Sequence, residues 1–319
     1  MAKLILDKNN MVSFPTLLLQ NKNFDTLGCI ADYYDFTYSE HFNGANECSF
    51  TVYKKLDNVE NALWDSIVDF KVLYIPEYQE RFEIKVSENY EGSDIKNITA
   101  TSLCEAELGQ IILRNIEINT EADISNVNYD ENFPTVFFRN VDDYMAYDWS
   151  GSKYSDYSDK KKQEVLRNSS LLHRLLEKAP HYSIGHIDQS LMNLQRTFSI
   201  SNTDIYAELT GEIAEEFGCL FVFDSMTRTI SAYDLYYTCA TCGHRGDFSD
   251  KCSKCGSKDL YGQYGEDTTV FIDRENLANN ISIETNSDSL KNCFYVEGGD
   301  ELVNATIRMI NPNGSQYIF

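Results

Sequence analysis

Two Cys-x-x-Cys pairs constrain the fold of this chain more than any other feature. Cys239 and Cys242 form the first pair, Cys252 and Cys255 form the second, and nine residues separate them. A short turn within each pair can direct both sulfurs at one ion, and the segment between the pairs is long enough to complete a tetrahedron. The pattern therefore predicts a four-thiolate zinc site in a zinc ribbon over residues 236–262.

The neighbours of these cysteines predict a structural metal. Gly243 and Gly256 each follow the second cysteine of a pair, where a knuckle turn often needs a positive φ. Four thiolates leave no coordination position for water or substrate, so we expect the metal to hold structure and not to catalyse. Two alternatives stay open at this stage: four ordinary thiols, or replacement of one thiolate by His244.

The charge of the chain disfavours a nucleic-acid-binding role for the ribbon. The 319 residues include 50 acidic and 27 basic side chains, a formal net charge of −23. Such a chain repels phosphate backbones unless its basic residues cluster, and the one basic run, Lys160 to Lys162, lies among acidic residues. The sequence contains no run of about 18 apolar residues, which predicts no stable membrane association.

Alternating apolar and polar residues predict strands through the first hundred positions. The apolar members fall into three sets that should each share one face. These sets are Tyr34, Phe36 and Tyr38; Cys48, Phe50 and Val52; and Phe82, Ile84 and Val86. With 21 Tyr and 18 Phe, both favoured in strands, the chain is predicted to be mainly β with α+β parts.

Helices and domain limits follow from changes in this pattern. We expect a short helix over 61–68, a helix with the stripe Leu171 to Leu176, and a longer helix from Thr203 to Phe217 with Ser201 as N-cap. A hairpin should follow that longer helix. The predicted regions are a β-barrel-like domain over 1–103, an α+β connecting domain over 104–200, and a second β-rich domain over 201–319 that contains the inserted ribbon.

A stretch over residues 123–162 is rich in Asp, Asn, Ser and Tyr and shows weak periodicity, so we expect an irregular, partly exposed excursion. Its large aromatic residues are Tyr144, Tyr147, Trp149, Tyr154 and Tyr157. Such rings could form a sugar-binding platform, but packing on the protein's own surface or on a partner is the favoured interpretation.

No signature of a catalytic site stands out. The sequence contains no His-Glu-x-x-His, Gly-x-Ser-x-Gly or phosphate-binding loop pattern. Carboxylate pairs such as Asp142 with Asp143, or Glu297 with Asp300, could serve a glycosidase, but so acidic a chain makes such pairs inevitable. His173, His181 and His186 are interpreted as structural or surface residues. We therefore expect no enzymatic activity in this chain and no catalytic residue.

Several segments of the C-terminal half resemble the tail-associated lysozyme (Tal), or prophage endopeptidase tail, family of long-tailed phages. The residues that carry the resemblance are Tyr182 to Asp188, Gln195 to Phe198, Phe221 to Asp224, Val296 to Asp300 and Asn311 to Ser315. They span nearly half of the chain in this order, with the predicted helix between the second and third segments.

The resemblance implies a structural hub of the phage baseplate, at the tail tip of the virion and assembled in the bacterial cytoplasm. Members of this family form homotrimers with β-barrel-like domains that attach to the distal tail protein, lie near the end of the tape-measure protein and close the tail tube. They often carry C-terminal receptor-binding or lytic parts. The cysteine ribbon has no counterpart in the simplest family pattern.

Three expectations complete this interpretation. The sequence stops at Tyr317, Ile318 and Phe319, the start of an apolar pattern, which suggests an N-terminal piece of a longer protein. DNA should be only a passing cargo, because a channel lined with carboxylates would repel it over a Debye length of about 8–10 Å. The alternative function is a tail-associated module that binds or hydrolyses peptidoglycan or polysaccharide.

Overall fold

The structure is a computed structural model that describes residues 14–88, 94–114, 116–118, 130, 132–248, 250–262, 295–296 and 305–306. The chain divides into two units, Met1–Gly265 and Glu266–Phe319. In the second unit the described residues form one antiparallel strand pair, Tyr295–Val296 with Ala305–Thr306. Most of the last two resemblance segments lies outside the described residues.

The first unit begins with a seven-stranded antiparallel sheet. The strands of this region are β1 Leu17–Gln20, β2 Thr26–Ile30, β3 Tyr33–Ser39, β4 Glu47–Tyr53, β5 Lys55–Leu56, β6 Val59–Glu60, β7 Val72–Ile75, β8 Glu80–Glu88 and β9 Ile95–Ser102. The short strands β5 and β6 pair only with each other and lie outside the seven-stranded sheet. The order is β2-β1-β7-β8-β9-β4-β3, and the edge strands β2 and β3 do not pair with each other. The sheet is therefore a curled half-barrel, and the expectation of a mainly β protein is confirmed.

The predicted alternation holds in β4, where Cys48, Phe50 and Val52 are buried, but it fails in β3. Asp35 adopts a positive φ of 54°, and the register against β4 shifts between Tyr34 and Thr37. This bulge reverses the direction of the side chain before it. As a result Tyr34 is exposed, contrary to the prediction, and Tyr33 packs against the core in its place.

A buried lysine contacts the segment over 61–68, whose Trp64 and Ile67 side chains lie in the core of this sheet. The predicted helix over 61–68 is reduced to a 3-10 turn, Trp64–Ser66. Lys96 of β9 is only 5% exposed, and its Nζ donates to the carbonyl oxygens of Trp64 at 2.7 Å and Ile67 at 2.8 Å. Burial lowers the pKa of Lys96, and the Trp64 ring lies 4.5 Å from its Nζ.

A second core lies C-terminal to the half-barrel. It is formed by residues between Cys104 and Ala232. The helices and strands that precede the ribbon are α1 Leu103–Leu108, β10 Ile112–Leu113, β11 Ile116–Ile118, α2 Asp159–Asn168, α3 Leu171–Leu176, β12 Ser183–Ile187, α4 Gln189–Met192, β13 Phe198–Ile200, β14 Thr203–Asp204, α5 Ile205–Glu208, α6 Ala214–Phe217, β15 Cys219–Asp224 and β16 Thr229–Asp234, with 3-10 turns at Tyr144–Ala146 and Ser152–Tyr154. Strand β16 pairs with β15 antiparallel and with β12 in parallel, while β10 pairs with β14 and β11 with β13. The domain limits drawn from the sequence stay a prediction.

The longer predicted helix is present but begins later and is interrupted. Asp204, not Ser201, is the N-cap, because its side chain accepts a hydrogen bond from the backbone N–H of Ala207 at 2.8 Å. A π-helical turn, Leu209–Ile213, separates α5 from α6. Gly218 then ends α6 in the left-handed conformation, with a φ of 58°. The hairpin predicted to follow is confirmed as β15 and β16.

The aromatic excursion forms a small core of its own. Phe133 stacks on Trp149 with ring centroids 4.7 Å apart, and Tyr154 packs edge-on against both rings. The Tyr154 hydroxyl donates to Asp130 at 2.7 Å, and Lys153 pairs with the same carboxylate at 3.1 Å. In the described part of this stretch the rings thus pack on the protein itself, which was the favoured interpretation.

Candidate metal centre

The two cysteine pairs lie in matching turns of a small three-stranded sheet. Its strands are β17 Tyr237–Cys239, β18 Arg245–Gly246 and β19 Leu260–Gly262, in the order β18-β17-β19. In the first turn the backbone N–H of Gly243 donates to the carbonyl oxygen of Cys239, and in the second Gly256 donates to Cys252, both at 2.8 Å. These two glycines have φ of 67° and 74°, as the sequence predicts.

The turns bring the four sulfurs together. All four lie within 4.8 Å of one another, with Cys239 Sγ 3.5 Å from Cys255 Sγ and Cys242 Sγ 3.6 Å from Cys252 Sγ. A tetrahedral zinc ion with Zn–S bonds of about 2.3 Å requires sulfur separations of about 3.8 Å. A disulfide would instead need about 2.05 Å. The arrangement fits a metal ion held by four thiolates.

The electrostatics of the group also favour a cation. Burial opposes ionisation of Cys239, but hydrogen bonds from the backbone N–H of Cys242, from the Cys255 thiol and from the N–H of Thr241 outweigh it and lower its pKa to about 6. The N–H of Ser257 lowers the pKa of Cys255, but the neighbouring sulfurs raise it to about 12. Four thiolates so close together repel one another, and a divalent cation removes that repulsion.

The sheet has a small core and no histidine ligand. Cys239, Phe248 and Cys252 are buried together, with Leu260 packed against them. His244, the alternative ligand, lies outside the four-sulfur group, and its ring is 5.5 Å from that of Phe248. Where all four positions of a metal are protein sulfurs, the metal stabilises the fold and offers no site for substrate.

An ion pair that the sequence analysis missed connects this sheet to the second core. The guanidinium of Arg245, on β18, donates to both carboxylate oxygens of Asp234 at 2.7 Å. Asp234 is fully buried at the end of β16. The same guanidinium donates to the backbone carbonyls of Phe217 at 2.6 Å and Gly218 at 3.2 Å. One side chain on β18, the strand that follows the first cysteine turn, therefore contacts both the end of β16 and the end of α6.

Among the described residues, the histidines and carboxylates singled out from the sequence do not belong to the four-cysteine group. His186 pairs with Asp188 at 2.8 Å, and His181 lies 3.8 Å from Glu107. The ring of His173 stacks on Phe138, and burial lowers its pKa to about 4. Asp142 and Asp143 are exposed in a loop. Glu297 and Asp300 lie outside the described residues.

A second ion pair and a cleft also escaped sequence reasoning. Arg228 donates to both oxygens of Glu107, at 2.6 and 2.9 Å, and the Tyr182 hydroxyl donates to the same carboxylate at 2.8 Å. Arg228 and Glu107 are 121 residues apart, so no local sequence pattern predicts the contact. The cleft lies where the half-barrel meets the β15–β16 hairpin.

None of the helices among the described residues is long and apolar enough to cross a membrane.

No known protein family matches the chain, and no curated protein matches it. Among solved structures, prophage tail protein gp18 of Listeria monocytogenes EGD-e shares 12% identity at a TM-score of 0.38, over 68% of this chain and 50% of that one. A tail protein of Neisseria meningitidis MC58 shares 9% identity at 0.38, over 71% and 51%. The 43 kDa tail protein of prophage MuSo2 from Shewanella oneidensis shares 12% at 0.35, over 72% and 58%. The chain thus spans half to three-fifths of the length of these proteins.

Proposed function

We propose that the chain is a structural component of the tail of a long-tailed phage or prophage, with the role of a baseplate hub. The observation that carries the proposal is the convergence of three of the five segments that resemble the Tal family. Strand β12, from the segment over 182–188, and strand β15, from the segment over 221–224, both pair with β16. The ring of Phe198, from a third segment, stacks on that of Phe217 in the same core. These three segments therefore pack together in one core.

In this role three copies of the chain surround the tail axis and attach to the distal tail protein, with the tape-measure protein ending near them. The trimer closes the tail tube at the tip of the virion, and DNA passes without binding. The excess of acidic residues supports this last point, because like charges repel. Catalysis is not part of the proposed role.

Light scattering after size-exclusion chromatography tests the hub. We expect a complex with the mass of three chains that co-elutes with the distal tail protein of the same phage. A monomer that ignores the distal tail protein would contradict the proposal. Clearing of a peptidoglycan zymogram by this chain would instead favour the alternative, a hydrolytic tail module.

We further propose that Zn²⁺ occupies the four-cysteine group as a structural ion. Elemental analysis of reduced protein should give one zinc per chain, and replacing Cys239, Cys242, Cys252 and Cys255 by serine should abolish it. Chelation should speed hydrogen exchange mainly over residues 236–261. The exposed Cys29 supplies a matched control, since Cys29→Ser should keep the metal. Unchanged thermal stability after all four substitutions would count against a structural ion.

A further inference from the structure

The cleft between the half-barrel and the second core has the chemistry of a binding site. It encloses about 940 Å³. One wall is the β3–β4 loop, residues 40–46, together with the start of β8, and the other is β15 with the turn that follows it, up to Thr227. Asn43 ties the walls together, because its Nδ2 donates to Thr210 O at 2.7 Å and its Oδ1 accepts from the Phe221 N–H at 3.3 Å.

A carboxylate without a cationic partner lies in the cleft. Glu80 accepts hydrogen bonds from Asn46 Nδ2 at 2.9 Å, from the Tyr38 hydroxyl at 3.3 Å and from the Ser102 side chain, all of which are neutral donors. Burial raises the pKa of Glu80, and the nearby charge of Glu40 raises it further. A buried carboxylate is stabilised most when a cation pairs with it.

The cleft supplies no lysine or arginine for this role, although His41 is among its lining residues. All its lining residues belong to the described part of the chain, and none of them is Lys or Arg, whereas Glu40 and Asp224 add two further carboxylates. The nearest guanidinium along β8, Arg81, lies 4.0 Å over the Phe24 ring and donates to the carbonyls of Ser225 and Met226. The charge of Asp224 interacts with that of Arg81, whereas no lysine or arginine in the lining balances Glu80.

Aromatic rings and an unpaired hydroxyl complete the lining. The rings of Tyr38 and Tyr78 are 4.4 Å apart beside Glu80, and Phe42 at the rim is 75% exposed. Tyr206, which packs on Phe223, is only 9% exposed, and its hydroxyl has no hydrogen-bond partner in the described structure. Ring faces attract ammonium and guanidinium groups, and a buried hydroxyl without a partner favours a ligand that can bond to it.

We propose that this cleft binds a basic side chain, lysine or arginine, of a partner polypeptide. Glu80 supplies the counter-charge, the rings of Tyr38 and Tyr78 pack along the alkyl stem and face the cation, and the Tyr206 hydroxyl accepts a hydrogen bond. The net charge of −23 also attracts cationic segments over a distance of about a Debye length. The inference stands apart from the proposed tail function, since it concerns one cleft and not assembly.

Calorimetric titration with an acetylated, amidated tri-lysine peptide tests the proposal, with chitotriose as a neutral ring-containing probe. Glu80→Gln keeps the shape and an acceptor oxygen but removes the charge, and should weaken tri-lysine binding at least tenfold. Glu60→Gln removes the same charge from the exposed strand β6 and should change the affinity less than twofold. This comparison separates the cleft from general attraction to an acidic protein.

Tyr206→Phe provides a readout that a purely structural residue would not give. Removing an unpartnered buried hydroxyl should leave thermal stability unchanged or raise it, yet weaken tri-lysine binding several-fold. Equal affinities of the Glu80→Gln and Glu60→Gln proteins, chitotriose binding in place of tri-lysine, or no binding at millimolar peptide would each overturn the proposal. None of these results would alter the mass of the assembled chain, so the tail proposal is judged separately.

Discussion

Replacing Arg245 by methionine should destabilise the protein by about 3–5 kcal/mol, the loss typical of a buried ion pair that has one partner removed. Asp234 is 0% exposed and Arg245 17%, and the two charges meet through two bonds of 2.7 Å. Methionine fills much of the same volume, so the loss is mainly electrostatic. Asp234 would keep only the neutral donors Ser190 Oγ and Tyr236 N–H, and the carbonyls of Phe217 and Gly218 would lose a donor.

Urea unfolding in the presence of Zn²⁺ measures this loss, and a double-mutant cycle with Asp234→Asn separates the pair from the other contacts. The asparagine removes the buried charge, so Arg245→Met should cost less in that background, with a coupling energy of about 2 kcal/mol. Lys161→Met is the control. Its pair with Glu164 spans 3.3 Å between side chains that are 46% and 53% exposed, and should contribute less than about 1 kcal/mol.

Two results would contradict this prediction: Arg245→Met destabilises the protein by less than about 1 kcal/mol, or its cost is the same with aspartate and asparagine at position 234. In either case the guanidinium would not be neutralising a buried charge. Hydrogen exchange supplies a second test, because loss of Arg245 should speed exchange both in the two cysteine turns and at the end of α6.

Three further predictions concern single residues. Burial lowers the pKa of His173 to about 4 from about 6.5 in an unfolded chain, so protonation favours unfolding. The free energy of unfolding should therefore fall by on the order of 3 kcal/mol as the pH drops from 6.5 to 4. In acid titrations followed by circular dichroism, His173→Gln should remove most of this pH dependence. Gly218→Ala should destabilise by more than about 1 kcal/mol in thermal unfolding, because the new Cβ would lie 2.1 Å from Tyr236 Cε2 at a φ of 58°, whereas Gly211→Ala meets no atom within 4 Å and should not clash. Asn43→Ala should loosen the contact between the half-barrel and the second core, seen as faster proteolysis between them; unchanged protease resistance would mean that the two hydrogen bonds of Asn43 contribute little.

The features that could be predicted are those encoded over a few neighbouring residues. The Cys-x-x-Cys-Gly turns, the alternation in β4 and the glycine that ends α6 each follow from side chains and backbone preferences close in sequence. The same local reasoning failed where one residue changed the geometry. At Asp35 a left-handed residue reversed the face that Tyr34 presents, and at the start of α5 Asp204 replaced Ser201 as N-cap because the chain is still paired in β14 at Thr203 and Asp204.

The sequence by itself determined the cysteine spacing that brings four thiolates together, the strand-rich N-terminal region and the acidity of the chain. Tertiary structure alone decided which buried charges meet. Arg245 reaches Asp234, Arg228 reaches Glu107, and Glu80 reaches no cation among the described residues. The physical reason is range. A turn or a strand is selected by interactions over a few residues, whereas an ion pair or a cleft depends on where the whole chain path places residues that no periodicity connects.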